Sequence, residues 1–209
     1  PRGRLAEQQD KSLVGQGVMA PVKAPVTGGG YNADVVLGMT AINWRAEGGL
    51  RIGFDAAPST VAFKLDGRSA PTTIADISGI VDVRSGWRVT GGFTGGEVKA
   101  DEATLADMKG KFDLGGAAGS LNGSLSQVSL RIFDPKPEEE ELYEETKFEG
   151  GATLKNSVAD FTGQFTLAKS GVQIASVSGR HNLDDNVGSL TFAPTPIIFT
   201  PRTFQPYDL

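Results

Sequence analysis

Cysteine is absent from the 209 residues, and histidine occurs once, at His181. The first absence excludes disulfides, zinc-thiolate sites and thiol nucleophiles. The second makes imidazole catalysis hard to build, because a general base needs a nucleophile beside it and a third group to orient it. His181 stands in the phrase SGRHNLDD, which reads as a surface strand or turn. Neither G-x-S-x-G nor H-E-x-x-H occurs. Basic charge is short as well: 20 Lys+Arg stand against 25 Asp+Glu, for a net charge of −5. No basic patch breaks that balance, so no nucleic-acid partner is expected. No apolar run is long enough to span a membrane.

Other candidate sites fail on spacing. Asp184-Asp185-Asn186 lacks the alternating ligands and terminal Glu of a calcium loop. The glycines of residues 91–97, GGFTGGE, open no helix and so form no phosphate cradle. Paired carboxylates could in principle hydrolyse a glycoside, but the acids here fall at turns and on polar faces without converging. The expectation is a non-enzyme with no catalytic residue, no metal and no cofactor. No signal peptide is visible. The chain starts at Pro1 and stops at Asp208-Leu209, which reads as a piece of a longer protein.

What the chain does have is glycine, 28 residues, and proline, 11 residues. They lack the period of collagen, so many tight turns are the better reading. Between them run segments of period two, the mark of half-buried strands. Leu50, Ile52 and Phe54 alternate with Arg51, Gly53 and Asp55; Val61, Phe63 and Leu65 alternate with Ala62, Lys64 and Asp66. Trp87, Val89 and Phe93, then Val128, Leu130 and Ile132, continue the pattern. Residues 32–44 are apolar on both faces, which suggests a strand covered twice or lying against a neighbour. Turn signals separate the runs at Glu47-Gly48-Gly49, Ala57-Pro58-Ser59, Ser85-Gly86, Gly95-Gly96, Lys169-Ser170-Gly171 and Asp184-Asp185-Asn186.

One phrase recurs. Residues 74–83 read IADISGIVDV, residues 105–114 LADMKGKFDL and residues 158–167 VADFTGQFTL. Such repetition points to stacked supersecondary units. In the third copy Phe161, Gly163, Phe165 and Leu167 share one face; in the second Met108, Phe112 and Leu114 do; in the first Ile77, Val81 and Val83 do, with Ile80 the exception. The recurring Gly79, Gly110 and Gly163 lie on that apolar face, as bulges or bends or as space for a ligand. The recurring Asp76, Asp107 and Asp160 point outward as solvated edge or turn residues.

The expected fold is all-β: about a dozen strands in sequential hairpins, forming a long, twisted, mainly antiparallel sheet. At strand spacing it would extend roughly 55–60 Å, and it must curl into a groove, fold into two layers or close. A β-sandwich is the alternative. Residues 1–30 read as weakly structured or partial helix or strand, 31–200 as the repeated hairpin section, and 201–209 as a truncated end. Residues 134–148, DPKPEEEELYEETKF, read as an acidic insert forming a solvated loop or short helix. Only that insert and residues 4–12 have any helical character.

Repeated hairpins of this wording resemble the AsmA-like proteins of Gram-negative bacteria, and most closely the YdbH-type branch. The C-terminal phrase of residues 188–209, GSLTFAPTPIIFTPRTFQPYDL, carries much of the likeness. It resembles a run in which an "LTF-P" strand leads to an "F-P--LQP-DL" element, with Phe204 standing where Leu is common. The resemblance implies a repeating β-groove and a parent protein anchored in the inner membrane and crossing the periplasm. It implies phospholipid as the ligand, with acyl chains guided between inner and outer membranes, and an outer-membrane lipoprotein as partner. Its groove lining would comprise Phe54, Phe63, Leu65, Val81, Val83, Phe93, Phe112, Leu114, Leu130, Phe161, Phe165, Leu167 and Phe192. Pattern alone reads the same stripe as the dry core of a sandwich or barrel in a structural or adhesive domain. Trp44 and Trp87 fit a groove rim or ordinary packing. The edges of such a sheet offer self-association between copies.

Overall fold

The structure, a computed structural model, describes residues 2–8, 12–28, 31–65, 68–84, 86–99, 104–116, 122–133 and 145–196. The chain is all-β, with no helix among these residues. Sixteen strands follow one another: β1 (Arg2–Glu7), β2 (Leu13–Met19), β3 (Val22–Gly28), β4 (Tyr31–Leu37), β5 (Met39–Ala46), β6 (Leu50–Ala57), β7 (Ser59–Leu65) and β8 (Arg68–Ile74). Then come β9 (Asp76–Asp82), β10 (Trp87–Lys99), β11 (Thr104–Gly116), β12 (Asn122–Phe133), β13 (Thr146–Lys155), β14 (Val158–Leu167), β15 (Gln173–Asn182) and β16 (Val187–Pro194). All belong to one open antiparallel sheet whose ends are β1 and β16.

Four pairs of these strands are halves of longer traverses. β2 runs on into β3, β4 into β5, β6 into β7 and β8 into β9; each half pairs with the matching half of the neighbouring traverse. The sheet is therefore a plain meander of twelve traverses, about 55 Å across at ordinary strand spacing.

A line of interruptions crosses successive traverses near their middles. It passes through Ala20-Pro21, Gly38, Pro58 and Ala75, where the strands divide. It continues as bulges at Gly95 (φ 73°), Asp107 (φ 52°) and Gln127 (φ 52°), where the pairing register shifts. Proline lacks the ladder donor and glycine lacks a side chain, so both are natural places to break a strand. Gly38 is packed so tightly on Pro58 that a β-carbon has no room there. Its N–H donates to Ser59 Oγ at 3.2 Å and its carbonyl accepts from Thr40 Oγ1 at 3.0 Å. Thr40, its cross-strand partner Ala56, and Ser59 are all buried beside this line.

Two turn signals thus have another role. Ala57-Pro58-Ser59 and Gly95-Gly96 mark the line within a traverse and do not reverse the chain. The interruption at Gly38 also explains why residues 32–44 look apolar on both faces: the alternation restarts there, in two strands. True reversals occur at Gly48-Gly49, Gly171 and Asn186, all with positive φ. Asn156-Ser157 makes a further two-residue turn, both with positive φ as a type I′ hairpin requires.

The ends of the expected hairpin section also shift. Residues 2–28 contain β1, β2 and β3 of the same sheet, and Leu13–Met19 pairs residue for residue with β5. Residues 4–7, given helical character above, are strand. Residues 146–148 of the acidic segment open β13; residues 134–144 lie outside the described residues, as do 197–209.

The sandwich alternative fails on burial. Among the described residues the fully buried apolar side chains are Ala56, 0% exposed, and Ala175, 2% exposed. A sandwich of this size would enclose large aliphatic and aromatic side chains. Here Phe54, Phe112, Phe161 and Phe165 are only half-buried, screened by neighbours on their own face.

Phenylalanine laid over glycine takes the place of a second layer. The Phe54 ring covers Gly79 on β9, Phe112 covers Gly91 on β10, Phe93 covers Gly110 on β11, Phe148 covers Gly163 on β14 and Phe161 covers Gly179 on β15. In each pair the ring shields backbone that glycine leaves bare, a contact known to pin strand register. The three recurring glycines are receptors for these rings. We predict that Gly163→Val destabilises the chain by about 1–3 kcal/mol through overpacking against Phe148. In a Phe148→Leu background, urea denaturation should show a smaller loss. Equal losses in both backgrounds would mean that the ring does not set the size limit.

Candidate functional site

Antiparallel partners share a face, so the register sorts the side chains. One row runs Ile42, Phe54, Gly79, Gly91, Phe112, Leu125, Ala152, Phe161, Gly179 and Leu190. Two residues along the strands, the next row runs Trp44, Ile52, Val81, Val89, Leu114, Gly123, Leu154 and Ala159. On the other side of the first row lie Leu130, Phe148, Phe165 and Ala175, followed by Ile132 and Leu167. Together they make one apolar face that passes from strand to strand without a charged side chain.

Ten of the thirteen residues expected to line a groove stand side by side on this face. Phe54, Val81, Phe112, Leu114 and Phe161 occupy the two central rows, and Leu130, Phe165 and Leu167 flank them. Phe93 pairs with Ile77 and covers Gly110, and Phe192 pairs with Val177 in the row of Gly163. Val83 follows β9 on the same alternation and is exposed at the sheet's rim; its N–H donates to the Leu50 carbonyl at 2.9 Å. Phe63 and Leu65 stand on β7, beyond the line of interruptions, and their side chains lie outside the described residues.

Toward the β16 edge the aromatic rings meet directly. Phe148 and Phe165 have centroids 5.1 Å apart, and Phe165 and Phe192 are 6.0 Å apart, both tilted. Phe148 was hidden from a sequence reading because it closes an acidic run. The signal that finds it is the alternation Phe148, Gly150, Ala152, Leu154. Both tryptophans belong to the apolar face, Trp44 half-buried over Gly15 and Trp87 exposed at the start of β10. His181 is part of β15, half-buried on the same face, with its ring against Gly188.

The opposite face is polar. Gly53, Ile80, Thr90, Asp113, Ser124, Thr153, Asp160, Arg180 and Ser189 form one row of it. Open hollows lie over this face. One of about 1040 Å³ crosses from β9 to β15, bordered by Asp76, Lys109, Lys111, Glu149, Thr162 and Gln164. A twisted sheet is saddle-shaped and can be concave on either face along different diagonals. The hollow's border mixes these polar groups with Phe93, Val128 and Val177. The half-burial of the phenylalanines, against the exposure of Lys109, Lys111 and Gln164, marks the other face as the apolar surface.

Charges on the polar face are paired across strands. Arg88 holds Asp113 with Nε to Oδ1 at 2.8 Å, and Arg131 joins Asp107 at 2.5 Å and Glu145 at 3.1 Å. Arg84 hydrogen-bonds Asp82 at the end of β9, with Nε to Oδ1 at 2.9 Å. The Arg84 side-chain and backbone hydrogen bonds lower the Asp82 pKa from 3.8 to about 2. Arg88 lowers that of Asp113 in the same way. Among the described residues no group of acidic, histidine or cysteine side chains could hold a metal ion. The recurring Asp76, Asp107 and Asp160 belong to separate strands, and Asp107 and Asp160 face Arg131 and Arg180.

No family model, no curated protein and no solved structure matches the chain.

Because the folded pKa of Asp82 is depressed, its pairing adds stability above pH 3.8, and that contribution is lost as pH falls through about 2. We predict a carboxyl-detected NMR midpoint near 2 for Asp82, rising toward 3.8 in Arg84→Gln. A midpoint indifferent to that substitution would show that the guanidinium is not the cause.

Proposed function

We propose that this sheet is a section of a periplasmic, bridge-like protein that guides phospholipid acyl chains along its apolar face between inner and outer membranes. The observation that carries the reading is an apolar face crossing the meander with no second layer packed on it among the described residues. Large contiguous apolar surface is rare on a protein that meets only water, and it marks a place where something apolar binds. Hydrocarbon is a suitable occupant: its gain on leaving water scales with area and needs no directional partner. Within the rows described above no charge or hydrogen-bonding cluster fixes one ligand position, so each row presents a sliding chain with much the same surface. Side chains perform no bond-making step in this reading.

The resemblance to AsmA-like proteins of the YdbH type supports the same conclusion. On that reading the parent protein is anchored in the inner membrane and works with an outer-membrane lipoprotein. A structural or adhesive domain is the competing reading. It calls for a dry, closed core, and the burial of only two alanines among the apolar side chains of the described residues counts against it.

The test is native mass spectrometry with lipid extraction on the purified chain. Phospholipid should co-purify and be lost in Phe112→Glu and Phe165→Glu, with the β circular dichroism signal retained. Both rings lie on the apolar face away from the polar-face ion pairs, so a folded variant isolates the surface property. A lipid-free wild-type chain, or folded variants that keep their lipid, would overturn the proposal.

A further inference from the structure

The polar-face row that passes through Gly53 continues toward β1 as Asn43, Gln16 and Arg4. In the next row Arg45 on β5 stands directly opposite Arg51 on β6. These five residues border one hollow of about 560 Å³. It gathers three guanidinium groups and two carboxamides and is lined by no carboxylate, in a chain whose net charge is −5. The sequence spreads these residues from position 4 to position 51, and the meander brings them together.

Elsewhere on this face opposite charges meet across strands, as in Arg88–Asp113 and Arg180–Asp160. Like charges directly opposed cost stability, so Arg45–Arg51 breaks the rule that those pairs follow. Local violations of that kind are expected at functional sites. The neighbouring acids are engaged outside the hollow. Glu47 approaches Arg45 at 3.0 Å from the turn after β5, where both side chains are exposed. Asp82 opposes Arg51 on β9, but Arg84 Nε holds its two carboxylate oxygens at 2.9 and 3.0 Å. Among the described residues the side chains of Arg4 and Arg51 form no ion pair or hydrogen bond.

We propose that this hollow binds a phosphate group, carried by a soluble phosphate ester or by a lipid headgroup. Guanidinium meets phosphate through two parallel N–H···O bonds and stays charged at physiological pH. Arg45 and Arg51, on adjoining strands, reach different oxygens of one phosphate. Gln16 and Asn43 donate amide N–H groups from the row beside them. The anion also cancels the Arg45–Arg51 repulsion, so binding stabilises the fold. The hollow opens on the face of the sheet, and β2, β5 and β6 are each paired on both sides. It therefore does not depend on what pairs with β1, nor on what occupies the apolar face.

The probe is inorganic phosphate, titrated at constant ionic strength while the arginine Nε–H resonances are followed by NMR. The Arg4, Arg45 and Arg51 signals should shift saturably, and chloride should not reproduce the shifts. Arg51→Gln should weaken binding about tenfold or more, the loss expected for charged hydrogen bonds. Arg51→Lys keeps the charge but loses the fork, and should also bind more weakly than wild type. Arg180→Gln, on the same face at β15, should bind as wild type does. Without phosphate Arg51→Gln should resist urea at least as well as wild type, because it relieves a repulsion. Phosphate should then stabilise wild type more than the variant. Vesicles assign the source. Sedimentation with phosphatidylglycerol vesicles that inorganic phosphate displaces and Arg51→Gln abolishes identifies a lipid headgroup. Phosphate binding without that sedimentation identifies a soluble ester. Equal shifts with phosphate and chloride, shifts that do not saturate, or binding unchanged in both Arg45→Gln and Arg51→Gln would each overturn the proposal.

Discussion

A phenylalanine ring lying across a glycine on the neighbouring strand is the contact on which the rest of this sheet depends. A backbone ladder alone fixes spacing but tolerates slippage, and among the described residues only Ala56 and Ala175 are buried apolar side chains that would penalise a slip. Phe54 on Gly79, Phe112 on Gly91, Phe93 on Gly110, Phe148 on Gly163 and Phe161 on Gly179 supply that penalty at four strand pairs. Each displaced register would drive a ring into a side chain or strip it from the backbone it covers. The same contacts keep one face apolar and smooth, since the ring fills the space that glycine leaves.

The polar face does the complementary work. Arg88–Asp113, Arg131–Asp107 and Arg180–Asp160 join neighbouring strands through exposed ion pairs. Such pairs are worth little individually, but like charges directly opposed would disfavour the register. The line through Gly38, Pro58, Ala75 and Gly95 interrupts the long traverses at a common level. Thr40, Ala56 and Ser59, three of the buried described residues, lie beside this break in the strands.

Much of this was legible in the sequence. Period-two alternation gave the strands and the face of Phe54, Phe112, Phe161 and Phe165, because a half-buried strand can carry its pattern no other way. The count of about a dozen strands corresponds to twelve traverses. What could not be read was the meaning of a proline or glycine inside a long strand. Ala57-Pro58-Ser59 and Gly95-Gly96 have turn chemistry, yet the chain runs straight on, since a neighbouring traverse breaks at the same level. The recurring glycines looked like bulges or vacancies because their covering rings come from other strands, up to twenty-five residues distant in Phe54–Gly79. Phe148 was masked by the acidic residues before it. The similarity of the three repeated phrases did not reveal that the third runs opposite to the first two, an odd number of traverses later.

The account turns on whether the apolar face is open to hydrocarbon, and the tryptophans report on that face directly. Trp44 and Trp87 both belong to it. The measurement is their fluorescence in the presence of phospholipid brominated along its acyl chains, compared with unbrominated lipid of the same headgroup. The account predicts quenching by the brominated chains, lost when Phe112 becomes glutamate in a chain that stays folded. Emission that is the same with both lipids would place hydrocarbon away from this face and contradict it.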